Sequence, residues 1–160
     1  MRRPLTILFA IGLLALGGNA WAAAGWEIPL TVSAGRAVQH LSLGERADAT
    51  DGIDGLYEVP ALPGGNLRAA FALAGGRYWR DIRSASARHQ RWTLVIAAPR
   101  TAAQVTMAWG NLPQGKGLSA RLTDPASGRI VDAVRQHQYR FRSNGTRTLI
   151  LDITRQGELP

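Results

Sequence analysis

The chain contains no cysteine, which excludes disulfides, thiolate metal sites and a lipid carried on an N-terminal cysteine. Lysine is almost as scarce, since 18 of the 19 basic residues are arginine and the exception is Lys116. In a sequence so rich in alanine, that bias reads as genome composition rather than selection for a polyanion. No segment sustains a helical period. Catalytic signatures are missing too: there is no G-x-S-x-G elbow, no H-E-x-x-H, no P-loop and no Gly-rich dinucleotide turn. The three histidines, His40, His89 and His137, lie far apart, and nothing sets a nucleophile beside an activating group, so the sequence points away from an enzyme. The absence of an internal repeat excludes solenoids and propellers.

What is present begins with export. Met1-Arg2-Arg3-Pro4 leads into the apolar run Leu5 to Leu16, the build of a signal peptide. A run of about a dozen residues falls short of the roughly 20 needed to span a bilayer, so no transmembrane segment is expected after processing. Ala20 and Ala22 match an A-x-A cleavage pattern. The expected organisation is a signal peptide over 1–22 and one domain over 23–160, periplasmic or extracellular. The net charge of +8 falls by two, to +6, without Arg2 and Arg3.

Beyond the leader, apolar residues recur at every second position, the strand period. Trp26, Ile28, Leu30 and Val32 alternate with polar residues or Pro29. Leu67 to Leu73, Trp92 to Ile96 and Val105 to Trp109 repeat the pattern. Pro29 lacks an N–H, which suggests a strand at an edge or paired on one side only. Asn144-Gly145 suits a two-residue hairpin joining Gln138–Ser143 to Thr146–Thr154, with Tyr139 and Phe141 facing Leu149, Leu151 or Ile153. Gly44 to Gly65 stands apart as a long loop, of the kind that often carries function. Eight to ten short strands predict an all-β fold, an antiparallel β-sandwich.

The order of motifs resembles a domain family that recurs in secreted bacterial proteins and is similar to an immunoglobulin- or fibronectin-like sandwich. The matching residues are Leu41-Ser42-Leu43-Gly44, Ala49-Thr50-Asp51-Gly52-Ile53-Asp54, Glu58-Val59-Pro60, Pro63 and Asp81-Ile82-Arg83. They continue through Trp92-Thr93-Leu94-Val95, Val105-Thr106-Met107-Ala108-Trp109, Leu122-Thr123-Asp124, Val131-Asp132, Arg135, Tyr139 and Phe141. The resemblance implies the sandwich fold and an exported setting. It implies no activity and no catalytic residue.

Five of the eleven acids, Glu45, Asp48, Asp51, Asp54 and Glu58, fall within fourteen positions. One reading makes Asp48, Asp51, Asp54 and Glu58 calcium ligands, because calcium takes six to eight oxygens and an acidic loop supplies them. The three-residue spacing does not fit the twelve-residue EF-hand frame. The structural reading has Asp51 and Asp54 forming Asx turns and pairing with arginines, Arg83 foremost.

Between Arg77 and Trp92, five arginines are interleaved with aromatics, and Arg77, Trp79, Arg80 and Arg83 form the candidate binding set. Such a set holds phosphate or carboxylate while stacking a flat ring. Export argues against nucleic acid as the partner. Trp26, Trp92 and Trp109 are in phase with aliphatic neighbours and read as core, which leaves Trp79 as the exposed ring. The expectation is a secreted, non-catalytic module. The leading expectation is that it joins an envelope or extracellular protein through an edge strand or the Gly44–Gly65 loop; the alternative is a module that binds polysaccharide or another polyanion, with calcium as a conditional cofactor. Exposure of Trp79 together with its arginines separates the two.

Overall fold

A computed structural model describes residues 25–98, 103–115, 117–143 and 145–156. The signal-peptide assignment and Asn144 lie outside the described residues. The described chain is all-β, with eleven strands: β1 (Trp26–Ala34), β2 (Ala37–Arg46), β3 (Val59–Pro60), β4 (Arg68–Leu73), β5 (Gly76–Ser84), β6 (His89–Ala97), β7 (Ala103–Trp109), β8 (Leu118–Asp124), β9 (Arg129–Asp132), β10 (Gln138–Ser143) and β11 (Thr146–Arg155). No described helix is long and apolar enough to cross a membrane.

All strands join one sheet in the order β10-β7-β1-β2-β5-β4-β6-β11-β8-β9, with β3 on β5. The sheet curls until it is nearly a barrel, and its concave face is the core. Ile28, Leu30 and Val32, then Ala69 and Phe71, Trp92, Leu94 and Ile96, and Val105, Met107 and Trp109 are buried, as the alternation predicts. Burying such residues contributes about 1.5–3 kcal/mol per large side chain, and period-two alternation points them all inward.

Three expectations need correction. The sheet is not purely antiparallel, because β2 and β5 run parallel, pairing Ser42–Arg46 with Arg80–Ser84. The chain between them, residues 47–75, holds β3 and β4 and makes that parallel return possible, since parallel neighbours need a crossover rather than a hairpin. Pro29 is not on an edge strand: β1 pairs with β2 on one side and β7 on the other. The ladder to β7 begins at Leu30, and the Pro29 carbonyl accepts from Gly110 N–H at 3.0 Å, so the missing donor falls just outside that ladder. Finally, β10 and β11 do not pair. β10 pairs with β7 and β11 with β6 and β8, so the two strands take separate places in the sheet. Residues of β10 still meet β11 through side chains, with Arg147 lying 5.2 Å over the Phe141 ring.

Close backbone approach explains one glycine of the Leu41-Ser42-Leu43-Gly44 string. A Cβ at Gly44 would collide with the Trp26 carbonyl oxygen across the β1–β2 ladder. Nearby, the fully buried Glu45 accepts from Trp26 Nε1 at 3.0 Å and pairs with Arg155 of β11.

Candidate binding groove

Strand β5 changes neighbours along its length, and that change shapes the surface. From Arg80 onward it lies beside β2, whereas Tyr78 pairs with β3, and Arg80 marks the change because it is in register with both Ser42 of β2 and Val59 of β3. The first half of β2 therefore has no ladder on that side, and Gln39 fills the break by accepting from Ala69 N–H of β4 at 3.0 Å. Above this break is a groove of about 400 Å³. Its floor includes Val95 and Ala97 on the outward face of β6, and Leu62 and Pro63 of the 61–65 segment form a wall.

Arg68, Arg77 and Trp79 also line this groove. Residues 77 and 79 share a face of β5 because they are two apart. Arg68 and Arg77 are exposed and Trp79 is half-buried. Among the described residues neither arginine has a carboxylate partner, and Arg77 reaches only the carbonyl of Gly76, at 3.2 Å. Trp79 also differs from the described core indoles. Trp26, Trp92 and Trp109 donate to Glu45, the Asp81 carbonyl and the Ala133 carbonyl at 3.0, 3.2 and 2.9 Å, whereas the Trp79 N–H has no partner among the described residues.

The other two members of the expected binding set turn elsewhere. Arg80 lies on the opposite face of β5 and grips Glu27 through two bonds of 2.8 and 2.6 Å. That hydrogen bond holds the Glu27 carboxyl below its ordinary range. Arg83 forks onto Asp81, two residues before it, at 3.1 and 2.9 Å. It does so because Asp81 is fully buried and a buried carboxylate left unpaired is costly. Arg83 is therefore not the partner of Asp51 or Asp54.

The acidic stretch divides in the same way. Asp51 does pin the loop, but to Ser84 N–H at 3.2 Å and to Gln90 Nε2 at 2.6 Å. Asp48 accepts from the Tyr57 hydroxyl at 2.6 Å. Asp54 accepts from Thr50 N–H at 3.0 Å, and Glu58 Oε2 accepts from the backbone N–H groups of Asp54 and Gly55 at 3.0 and 3.2 Å. Of the four residues read as calcium ligands, only Asp54 and Glu58 come together. Among the described residues no group of three or more His, Asp or Glu side chains converges as a metal site.

No family model matches the chain, and no curated protein or solved structure matches it. The groove is therefore judged on its own chemistry. Two free guanidinium groups beside an indole accept a ligand that has carboxylates or sulfates and a flat, partly apolar ring. The histidines form no comparable site. His40 faces Thr31 Oγ1 at 3.4 Å on the surface, and His89 meets Asp152 at 2.8 Å, an aspartate that Arg91 also holds at 2.7 Å. Sequence reasoning identified Arg77 and Trp79 but missed Arg68, which lies on the preceding strand β4, outside the run of arginines and aromatics, and carries no motif.

Proposed function

We propose that this protein is an exported, non-catalytic binding module of immunoglobulin- or fibronectin-like kinship, and that it takes up an acidic polysaccharide in the groove beside Trp79. One observation carries the reading. Trp79 shares the groove with Arg68 and Arg77, whose charges are not spent on any described carboxylate. Sugar rings stack on the accessible face of a half-buried indole, and uronate or sulfate groups pair with arginine. Because Arg68 and Arg77 are exposed, each such contact contributes up to about 1 kcal/mol, so losing one arginine weakens binding up to about fivefold.

A second reading, attachment to an envelope or extracellular protein, draws on the exposed apolar side chains Ile53 and Leu56 of the connection after β2 and Leu62 of the groove wall, of which Leu56 is 79% exposed. Apolar crests of this kind are used by protein partners. Calorimetric titration with an oligogalacturonate, and with the same oligomer methyl-esterified, separates the two. The polysaccharide reading predicts binding of the acidic oligomer only, weakened in Arg77→Ala. Binding of neither oligomer, with association to an envelope protein that is lost in Leu56→Ser, would favour the protein partner.

A further inference from the structure

The two free guanidinium groups of the groove stand at separate places along it. Ala72 of β4 is in register with Arg77 of β5, and Arg68 lies four residues before Ala72 on the same strand. At a rise of about 3.3 Å per residue and about 5 Å between neighbouring strands, the Cα atoms of the two arginines are about 14 Å apart. Trp79 falls between them, because β4 and β5 are antiparallel and the step from Arg77 to Trp79 therefore runs toward the Arg68 end. Residues 68, 70 and 72 share one face of β4, and Ala70, Val95 and Ala97 give the stretch between the arginines a floor of small side chains. Among the described residues no carboxylate lines the groove, so nothing there repels an anionic chain.

We infer that the groove holds one extended acidic chain at two anionic groups, one on each side of the sugar that stacks on Trp79, so that the ligand carries its charges on separate sugars. This two-point binding rests on the acidic-polysaccharide reading and narrows it to chains of sufficient length and matching charge spacing. A monosaccharide offers a ring to Trp79 and a carboxylate to one arginine only. A longer chain reaches both, and its second pairing is intramolecular once the first has formed. The two ends of the groove also differ. At the Arg68 end, Gln39 spends its amide oxygen on Ala69 N–H at 3.0 Å, which leaves its Nε2 as a neutral donor without a described partner. The exposed Thr146, in register with Ala97, adds a hydroxyl to that end. At the Arg77 end the neighbours are Leu62 and Pro63 of the wall, anchored by Ala61 N–H on the Arg77 carbonyl at 2.8 Å.

The test is a chemical-shift titration of the full chain, which reads weak as well as tight binding, with galacturonate and with its dimer, trimer and tetramer, in wild type, Arg68→Ala and Arg77→Ala. Affinity should rise with length and level off once the oligomer reaches both arginines. Each exposed contact contributes up to about fivefold, so the tetramer should weaken by up to that factor in either variant. The monomer should weaken by less than about twofold in either, since the remaining arginine serves its one carboxylate. Longer oligomers also offer more binding registers, but that statistical gain is common to all three proteins and cancels between them. Equal losses for monomer and tetramer, or a gain with length that survives intact in both variants, would overturn two-point binding and leave the acidic-ligand reading standing. Binding of none of the four acidic ligands would overturn both.

Discussion

The Tyr139 hydroxyl donates to Asp124 Oδ2 at 2.8 Å, tying strand β10 to the end of β8 where no backbone ladder joins them. The same carboxylate accepts from Ser127 Oγ at 2.8 Å and from Ala126 N–H at 3.1 Å, with Arg147 Nε at 3.6 Å. Arg129 of β9 lies 5.5 Å over the Tyr139 ring. Side chains thus draw together the two ends of the open sheet. Tyr139→Phe should cost about 1.5–3 kcal/mol, and Asp124→Ala more, because it strands several donors at once. Urea unfolding of the variants measures both.

The pH dependence follows from the same carboxylate. Burial pushes Asp124 up, but the hydrogen bonds from Tyr139 and Ser127 and the Arg147 charge prevail, and its folded value is lowered. Its contribution to stability is therefore present above the unfolded value and lost as pH falls through the folded one. Between about pH 4 and pH 2, wild type should lose stability more steeply than Asp124→Asn, which starts lower but has no charge to lose there. Thermal midpoints of both proteins across that range are the measurement.

At the other end of the barrel, Arg155 is the only described cation paired with Glu45, which has no exposed surface. Arg155→Ala leaves a buried charge with only the Trp26 N–H on it, and should cost about 3 kcal/mol, near the low end for a broken buried pair because Arg155 is itself a quarter exposed. Restoring the balance with Glu45→Gln in the same chain should recover part of that loss. A double-mutant cycle by denaturant unfolding tests it.

Gly44→Ala should destabilise by on the order of 2 kcal/mol or more, because its Cβ meets the backbone of Trp26 rather than a movable side chain. Ser42→Ala, in the same string, should stay within about 0.5 kcal/mol. Their thermal midpoints decide whether the Leu41-Ser42-Leu43-Gly44 string is set by backbone approach.

Strands and core faces were legible because alternation is local: Ile28, Leu30 and Val32 can satisfy their burial only as a strand. Topology was not. The Tyr139 and Phe141 pattern requires an inward face but does not choose between β11 and β7 as neighbour, and a favourable turn signal at Asn144-Gly145 suggested the wrong one. The parallel β2–β5 pair leaves no local trace, since register across a long connection is a global property. At the site, Trp79 was identifiable because it fell out of phase with aliphatic neighbours, and Arg77 because it belongs to the run of arginines interleaved with aromatics. The burial of Asp81, which redirects Arg83, and the approach of Arg68 from β4 depend on the folded sheet.

The most direct test of the account is the indole N–H region of a nitrogen-edited NMR spectrum, with the Trp79 signal assigned by Trp79→Phe, recorded during titration with an acidic oligogalacturonate. The indoles of Trp26, Trp92 and Trp109 are tied to internal acceptors, so the account predicts that Trp79 alone shifts. The shift should weaken with added salt and disappear in a chain carrying Arg68→Ala and Arg77→Ala. An unmoved Trp79, or an equal shift with the neutral methyl-esterified oligomer, would contradict it.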